Sequence, residues 1–271
     1  MAYNLLKGKK GIIFGALDSN SIAWKVAERA HEEGATFTLT NAPIAMRMGE
    51  INKLAEQCGA VVIPADATSL EDLENLFTKS LEALGGKVDF ILHSIGMSPN
   101  VRKSKDYGDL NYDWFLKTID ISALSFHKIM QVAEKKDALN EGASIVALSY
   151  IAAQRAVPGY NDMAEAKAAL ESIARSYGLR LGPKKIRVNT VSQSPTMTTA
   201  GKGISGFDVF VDFAEKLSPL GNASAEECAD YVITLFSDLT KKVTMQNLFH
   251  DGGFSSTAIS DEFIQSFYNK K

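Results

Sequence analysis

Short apolar runs alternate with amphipathic stretches along almost the whole chain. The runs are Gly11–Gly15 (GIIFG), Thr36–Thr40 (TFTLT), Ala60–Pro64 (AVVIP), Val88–His93 (VDFILH), Ser144–Leu148 (SIVAL), Ile186–Val191 (IRVNTV) and Gln246–His250 (QNLFH). Most are rich in Val, Ile, Phe and Thr and nearly free of charge, the pattern of strands buried on both faces of a parallel sheet. Between them the period changes. Ser21–Glu33 places Ile22, Val26 and Ala30 on one helical face, and Leu70–Leu84 places Leu70, Leu73, Leu81 and Leu84 on another. Ser69 is the expected N-cap of that second helix, with Asp72 three residues on, and Gly85-Gly86 its expected stop. Seven strands separated by helices predict an α/β fold: one doubly wound, Rossmann-type, seven-stranded parallel sheet flanked by helices. With no linker, repeat or low-complexity tract, residues 1–271 read as one domain.

Composition narrows the class without changing the fold. The 271 residues are 45% hydrophobic and 23% charged, ordinary globular proportions. A net charge of -3 gives no basic face for nucleic acid. No apolar run approaches the roughly 18 residues that span a bilayer, and the opening residues lack a leader's apolar core. Cys58 and Cys228 are the only cysteines, read as free thiols of a cytoplasmic protein. His31, His93, His127 and His250 show no metal-ligand spacing, so no metal is expected. His93 is expected in the core, supporting the strand edge beside Ser94. Trp24 and Trp114 are expected as core or interface anchors.

The ends of the first four strands suggest a dinucleotide site. Such a site needs a tight turn after the first strand, small residues near the pyrophosphate, and a helix N-terminus aimed at it. Gly15 and Ala16 can make the turn, Ser21 can cap the helix, and Ala23 allows close packing, although the full G-x-G-x-x-G fingerprint is missing. After the second strand comes Asn41-Ala42-Pro43, with no acid until Glu50 to grip a ribose hydroxyl. Arg47 either reaches a 2′-phosphate or is solvated surface. Asp66, before Ala67, either accepts from an adenine amine or caps a turn with Thr68 and Ser69. Ser94-Ile95-Gly96 follows the fourth strand, where Ile95 can pack on the ribose and Gly96 admits a close backbone approach.

The densest chemistry follows the fifth strand, from Leu148-Ser149-Tyr150 through Pro158-Gly159-Tyr160 to Lys167. Tyr160 and Lys167 are seven apart, which on a continuous helix is about two turns and puts both on one face. The phenol can donate to a developing oxyanion. The ammonium is expected to lower the phenol pKa and to hold the ribose hydroxyls.

Taken together and in order, these pieces resemble the bacterial enoyl-acyl-carrier-protein reductases, a divergent branch of the short-chain dehydrogenase/reductases. The matching residues are Gly15 with Ser21-Ile22-Ala23, Asp66, His93-Ser94-Ile95-Gly96, Leu148-Ser149-Tyr150, Tyr160-Asn161 with Lys167, Arg187-Val188-Asn189, Ser194-Pro195 and Asp251-Gly252-Gly253-Phe254. Ordinary members of the wider family carry Tyr-x-x-x-Lys. The seven-residue spacing argues against the alternative, a short-chain carbonyl or 3-ketoacyl reductase.

The resemblance implies hydride transfer from NADH to the β carbon of a trans-2-enoyl thioester on acyl carrier protein. NADPH stays open, because Ala42 stands where Gln is common. It implies catalytic roles for Tyr150, Tyr160 and Lys167, and a substrate wall of Met97 and Ser98 with the two tyrosines. It places the cofactor on Gly15, Ser21, Ile22, Ala42, Asp66 and Ala67, on Ser94, Ile95, Gly96 and Lys167, and on Thr196, Met197, Thr198, Thr199 and Ala200. A glycine-rich stretch at about 194–220 is expected as a substrate lid, or else as a plain surface loop. A homotetramer is also implied. Phe254, Ile259, Phe263, Ile264 and Phe267 either form a subunit contact or pack on their own chain.

Overall fold

The computed structural model describes residues 2–47, 50–202 and 206–268. Seven strands form one all-parallel sheet: β1 (Lys10–Phe14), β2 (Thr36–Thr40), β3 (Val61–Val62), β4 (Val88–His93), β5 (Leu139–Ser149), β6 (Arg187–Gln193) and β7 (Asn247–His250). Their order is β3-β2-β1-β4-β5-β6-β7, as expected for a doubly wound sheet. The order reverses between β1 and β4, which opens a crevice beyond their carboxyl ends.

Side chains alternate across the strands, so the sheet feeds two cores. Ile12, Phe14, Ile91 and Ile145 pack on one face, under α2 (Leu70–Leu84), α4 (Ser125–Lys135) and α5 (Asp162–Leu181). Ile13, Leu39, Leu92 and Val146 pack on the other, under α1 (Ile22–Glu32) and α7 (Ala225–Phe236). Each fully buried aliphatic side chain contributes about 1.5–3 kcal/mol, so this double burial selects the Val- and Ile-rich runs. Trp24 lies in the second core at 5% exposure, whereas Trp114 is half-buried. Ser69 accepts from the Asp72 amide at 3.2 Å, and Gly85 ends α2 in the left-handed region.

The strands depart from the sequence reading mostly at the edges. β3 has two residues rather than five; it is an edge strand running into Pro64, which has no N–H to donate. β5 starts five residues early, at Leu139, because a register shift against β4 carries the polar stretch Asn140–Gly142 into the strand. α3 (Tyr112–Ile119) runs into α4 through a π-helical segment, Asp120–Leu124, that apolar periodicity does not reveal. Two later helices, α6 (Phe207–Leu217) and α8 (Asp261–Tyr268), meet through Phe213 and Phe263, and Phe207 of α6 lines the crevice. Among the described residues no helix is long and apolar enough to cross a membrane.

Gly15 sets how closely β1 and β4 approach at the crevice. Its φ is +94°, and a Cβ there would lie 2.0 Å from the Ser94 carbonyl oxygen. Gly15→Ala is expected to cost about 3 kcal/mol or more, read as a lower denaturation midpoint in urea at unchanged m-value.

Candidate active site

A cavity of about 850 Å³ occupies the crevice, within the usual size range of a ligand site. Gly15, Ser21, Ile22, Ala42, Asp66 and Ala67 line one part of it, and Ser94, Ile95, Gly96, Met97 and Ser98 another. Tyr150, Tyr160, Lys167, Thr196, Thr198 and Thr199 complete the expected set. One expected cofactor position departs from it: Met197 is 42% exposed and off the cavity wall. Ala200 falls on the short helix Thr199–Lys202, and its side chain lies outside the described residues. Residues 203–205 of the expected lid lie outside the described residues.

Ser21 occupies the N-cap position of α1 without capping it. Its hydroxyl donates to the Asp18 carbonyl at 2.8 Å and accepts from the Leu17 amide at 3.3 Å. The serine therefore closes the β1–α1 loop on itself, and the first amides of α1 have no side-chain partner beside the cavity. Asp66 accepts from the Thr68 amide and hydroxyl at 2.9 and 2.8 Å through one carboxylate oxygen. The turn cap is thus formed, and the residue still lines the cavity. Beyond β2 the wall is Asn41, Ala42, Ile44 and Ala45; Arg47 is not part of it.

Tyr160 and Lys167 share the cavity wall for a different reason than helical spacing. α5 starts at Asp162, and Asn161 turns the chain with φ +44°. Tyr160 therefore sits in the turn before the helix, while Lys167 is on its second turn. The Asn161 amide donates to the Lys105 carbonyl at 2.7 Å and pins that turn. The Tyr160 and Tyr150 rings lie 4.9 Å apart at 42°. Among the described residues the buried Tyr150 hydroxyl has no hydrogen-bond partner, so the wall holds an unused donor. Lys167 is 8% exposed and donates to the Leu148 carbonyl at 2.8 Å and the Ile95 carbonyl at 3.5 Å.

Three comparisons with known proteins point to one family. A family model described as enoyl-(acyl carrier protein) reductase matches residues 15–255. Enoyl-(acyl-carrier-protein) reductase (NADH) 1 of Rhizobium meliloti is 35% identical over 260 residues, 95% of this chain and 94% of its own length. FabI of Alistipes finegoldii is 64% identical in its crystal structure, with a TM-score of 0.94, covering 99% of this chain and 98% of that one. Its NADH complex is 68% identical, with a TM-score of 0.94, over 95% and 92%. The chain belongs to the enoyl-(acyl carrier protein) reductase family.

In this member of the reductase family, burial sets the ionisation of the wall. Desolvation pushes both phenols above the ordinary tyrosine value, Tyr150 also through its neighbour Tyr160. The expectation that Lys167 lowers the Tyr160 pKa is therefore reversed: desolvation dominates, and the phenols stay neutral donors. Burial also draws Lys167 down to about 8, against the opposing charge of Glu171. His93, fully buried, shares a 2.8 Å hydrogen bond with Ser125 and is drawn down to about 3 by burial and by Lys167. It is a neutral core histidine. Among the described residues no cluster could hold a metal.

Other residues that hold the site came from outside the sequence reading. The Ser122 hydroxyl, on the π-helical segment, accepts from the Met97 amide at 3.0 Å and donates to the Met97 carbonyl at 3.2 Å. Asp162 is fully buried and accepts from Ser98 at 2.6 Å, Asn100 at 2.8 Å and Thr118 at 2.8 Å. Ser98 thus lines the cavity, but its hydroxyl is committed to Asp162 and to the Val101 amide. Neither role has a spacing motif. Each depends on contacts 25 to 64 residues apart. Asp162→Ala removes the shared acceptor of three buried donors, leaving Asn100 the Asn111 carbonyl and Thr118 the Trp114 carbonyl, and is expected to destabilise the protein by about 2 kcal/mol or more. Asp162→Asn, which keeps one acceptor oxygen, is expected to cost less, with chemical denaturation ranking the two.

Proposed function

We propose that the protein uses NADH to reduce the trans-2-enoyl thioester of an acyl carrier protein to the saturated acyl thioester. The observation that carries this reading is the convergence of two neutral phenols and a buried ammonium on one cavity at the strand ends. That donor set suits an oxyanion forming beside a bound dinucleotide, and the family supplies the class of reaction. When bound, NADH supplies the hydride.

The chain's own residues do the rest. Gly15, Ser21 and Ile22 hold the diphosphate, and Asp66, Ala67 and Ile95 the adenosine. Ser94, Gly96, Thr196, Thr198 and Thr199 line the nicotinamide end. Ala42 marks the adenosine ribose. The wall there carries Ile44 and Ala45 but no cation, so a 2′-phosphate has no partner and NADH is preferred. Met97, Ser98, Tyr150 and Tyr160 frame the thioester. As the β carbon is reduced, the carbonyl becomes an enolate oxygen. Tyr160, with Tyr150 beside it, donates to that oxygen, and protonation at the α carbon completes the product. Lys167 holds the ribose hydroxyls and adds positive potential. Residues 194–220 act as the lid of one catalytic unit and exclude water.

The direct test follows NADH absorbance with a crotonyl thioester, a 3-ketoacyl thioester, and NADPH in place of NADH. Oxidation with the crotonyl substrate and NADH is expected. Faster turnover of the ketoacyl substrate would replace this reading with that of a carbonyl reductase. Tyr160→Phe is expected to lower kcat about 100-fold with the NADH dissociation constant changed less than about twofold. Lys167→Ala is expected to weaken NADH binding about tenfold or more. Because burial draws Lys167 down to about 8 in the free protein, kcat/KM is expected to fall as pH rises through that value, with no matching acidic limb from the phenols.

The reading extends to a homotetramer. Phe254 and Phe263 pack on Phe213 of their own chain, yet Ile259 and Phe267 remain 53% and 59% exposed. This leaves an apolar surface for a second copy. Sedimentation equilibrium is expected to return four times the chain mass, and a monomer mass would end that part of the proposal.

A further inference from the structure

Glu171 lies one helical turn beyond Lys167 on α5 and is 4% exposed. One carboxylate oxygen accepts from the Ser149 hydroxyl at 2.6 Å, and the other from the Gln154 amide at 2.9 Å. Ser149 immediately precedes Tyr150. Gln154 follows it, after the short turn Ile151–Ala153. The carboxylate thus ties both flanks of the Tyr150 segment to the helix that carries Lys167.

Hydrogen bonding alone does not account for a charge at this place. Among the described residues no cation is ion-paired to Glu171, and its hydrogen bonds come from two neutral donors. A buried carboxylate is less costly with a cation nearby. Lys167 is such a cation, and its hydrogen bonds go to carbonyl oxygens only. We propose that Glu171 is a positioning residue with two tasks: its hydrogen bonds fix Tyr150, and its carboxylate, one helical turn from Lys167, is the countercharge of the ammonium in the cavity wall. The assignment rests on the reading of Tyr150 and Lys167 given above.

The surroundings leave this task to Glu171: Arg102 and Lys117 on the wall carry the wrong sign, and Glu165 on α5 accepts from the Tyr107 hydroxyl at 2.6 Å. From β4, His93 is neutral. Tyr150 and Tyr160 are neutral phenols. From the π-helical segment, Asp120 is ion-paired with Lys128 at 2.6 Å. At the start of α5, Asp162 is held by Ser98, Asn100 and Thr118. From β6 the wall offers Gln193, which is neutral, and beyond β3 Asp66 is held by its own turn. Glu171 is the charged group that raises Lys167 against its burial. Its removal therefore lets the ammonium lose its proton at lower pH.

The two tasks separate by mutation. Glu171→Gln is expected to lower kcat about tenfold and to move the basic limb of the kcat/KM pH profile down by roughly half a unit or more. Gln154→Ala and Ser149→Ala cut the ties but keep the charge, so kcat is expected to fall with the limb in place. Glu171→Asp keeps the charge and shortens the arm, so it should behave like the tie mutants. Should Glu171→Gln fail to fold, this variant still decides. The same titration is read without turnover from the carbon-labelled lysine resonance of Lys167, assigned with Lys167→Arg. An unmoved Lys167 titration in Glu171→Gln, or an equal shift in Gln154→Ala or Glu171→Asp, overturns the proposal. A wild-type chain inert toward enoyl thioesters would instead defeat the functional reading, with the resonance still testing the electrostatics.

Discussion

The structure turns on one buried hydrogen bond, from the Lys167 ammonium to the Leu148 carbonyl at 2.8 Å. Removing an ammonium from water costs several kcal/mol unless polar partners replace the water. Here the partners are backbone carbonyls at the ends of two strands. Leu148 lies near the end of β5, and Ile95 lies just past β4. Those carbonyls converge because β4 and β5 run in parallel register from Phe90 with Ser144 to His93 with Ala147. The register in turn follows from two-sided burial of Ile91, Leu92, Ile145 and Val146, since a one-residue slip would exchange their faces. The cation in the cavity is therefore positioned by the hydrophobic pattern of the sheet.

The helix that carries this cation also carries two buried anions held by neutral donors. Asp162 binds Ser98, Asn100 and Thr118 and so joins the loop after β4 to α3 and α5. Glu171 binds Ser149 and Gln154 and joins the loop after β5 to the same helix. Each anchors the backbone beside one tyrosine, Asp162 next to Tyr160 and Glu171 around Tyr150. The phenols themselves lie in apolar surroundings and stay neutral. The two α5 carboxylates are thus spent on hydrogen bonds behind the wall, while Tyr150, Tyr160 and Lys167 face the cavity as donors. Burial raises the phenol pKa values, and the arrangement keeps these two anions off the donors that would meet a developing negative oxygen.

The strand pattern was readable because a parallel sheet covered on both faces demands continuous apolar runs. Ser69, Asp72 and Gly85 marked α2 for local reasons, and local signals survive folding. The site was legible as a set of residues but less so as geometry. Tyr160 and Lys167 were expected together on one helix, yet Asn161, with its φ of +44°, puts the tyrosine ahead of the helix. Ser21 had the residue type of a cap, but the Asp18 carbonyl competes for its hydroxyl. Met197 fell inside a matched segment, and only its exposure shows that it is off the wall. Ser122, Asp162 and Glu171 act through partners distant in sequence, which a single chain read by spacing does not reveal.

The cavity is built from two materials. On the sheet side, Gly15, Ser94, Leu148 and Lys167 are fixed by strand register and buried hydrogen bonds. On the opposite side, α6 meets that wall through aromatic contacts: Phe210 against Tyr150 at 6.3 Å, and Phe213 against Phe254 at 6.2 Å. Contacts of this kind contribute about 0.5–1.5 kcal/mol each and tolerate sliding, whereas losing a buried polar tie costs more. A rigid wall keeps a hydride donor and an oxyanion donor in fixed relation. Under the proposed function, the softer wall is the side on which an acyl chain enters. Polar ties on one side and aromatic packing on the other would then hold the reacting groups in orientation while that side yields.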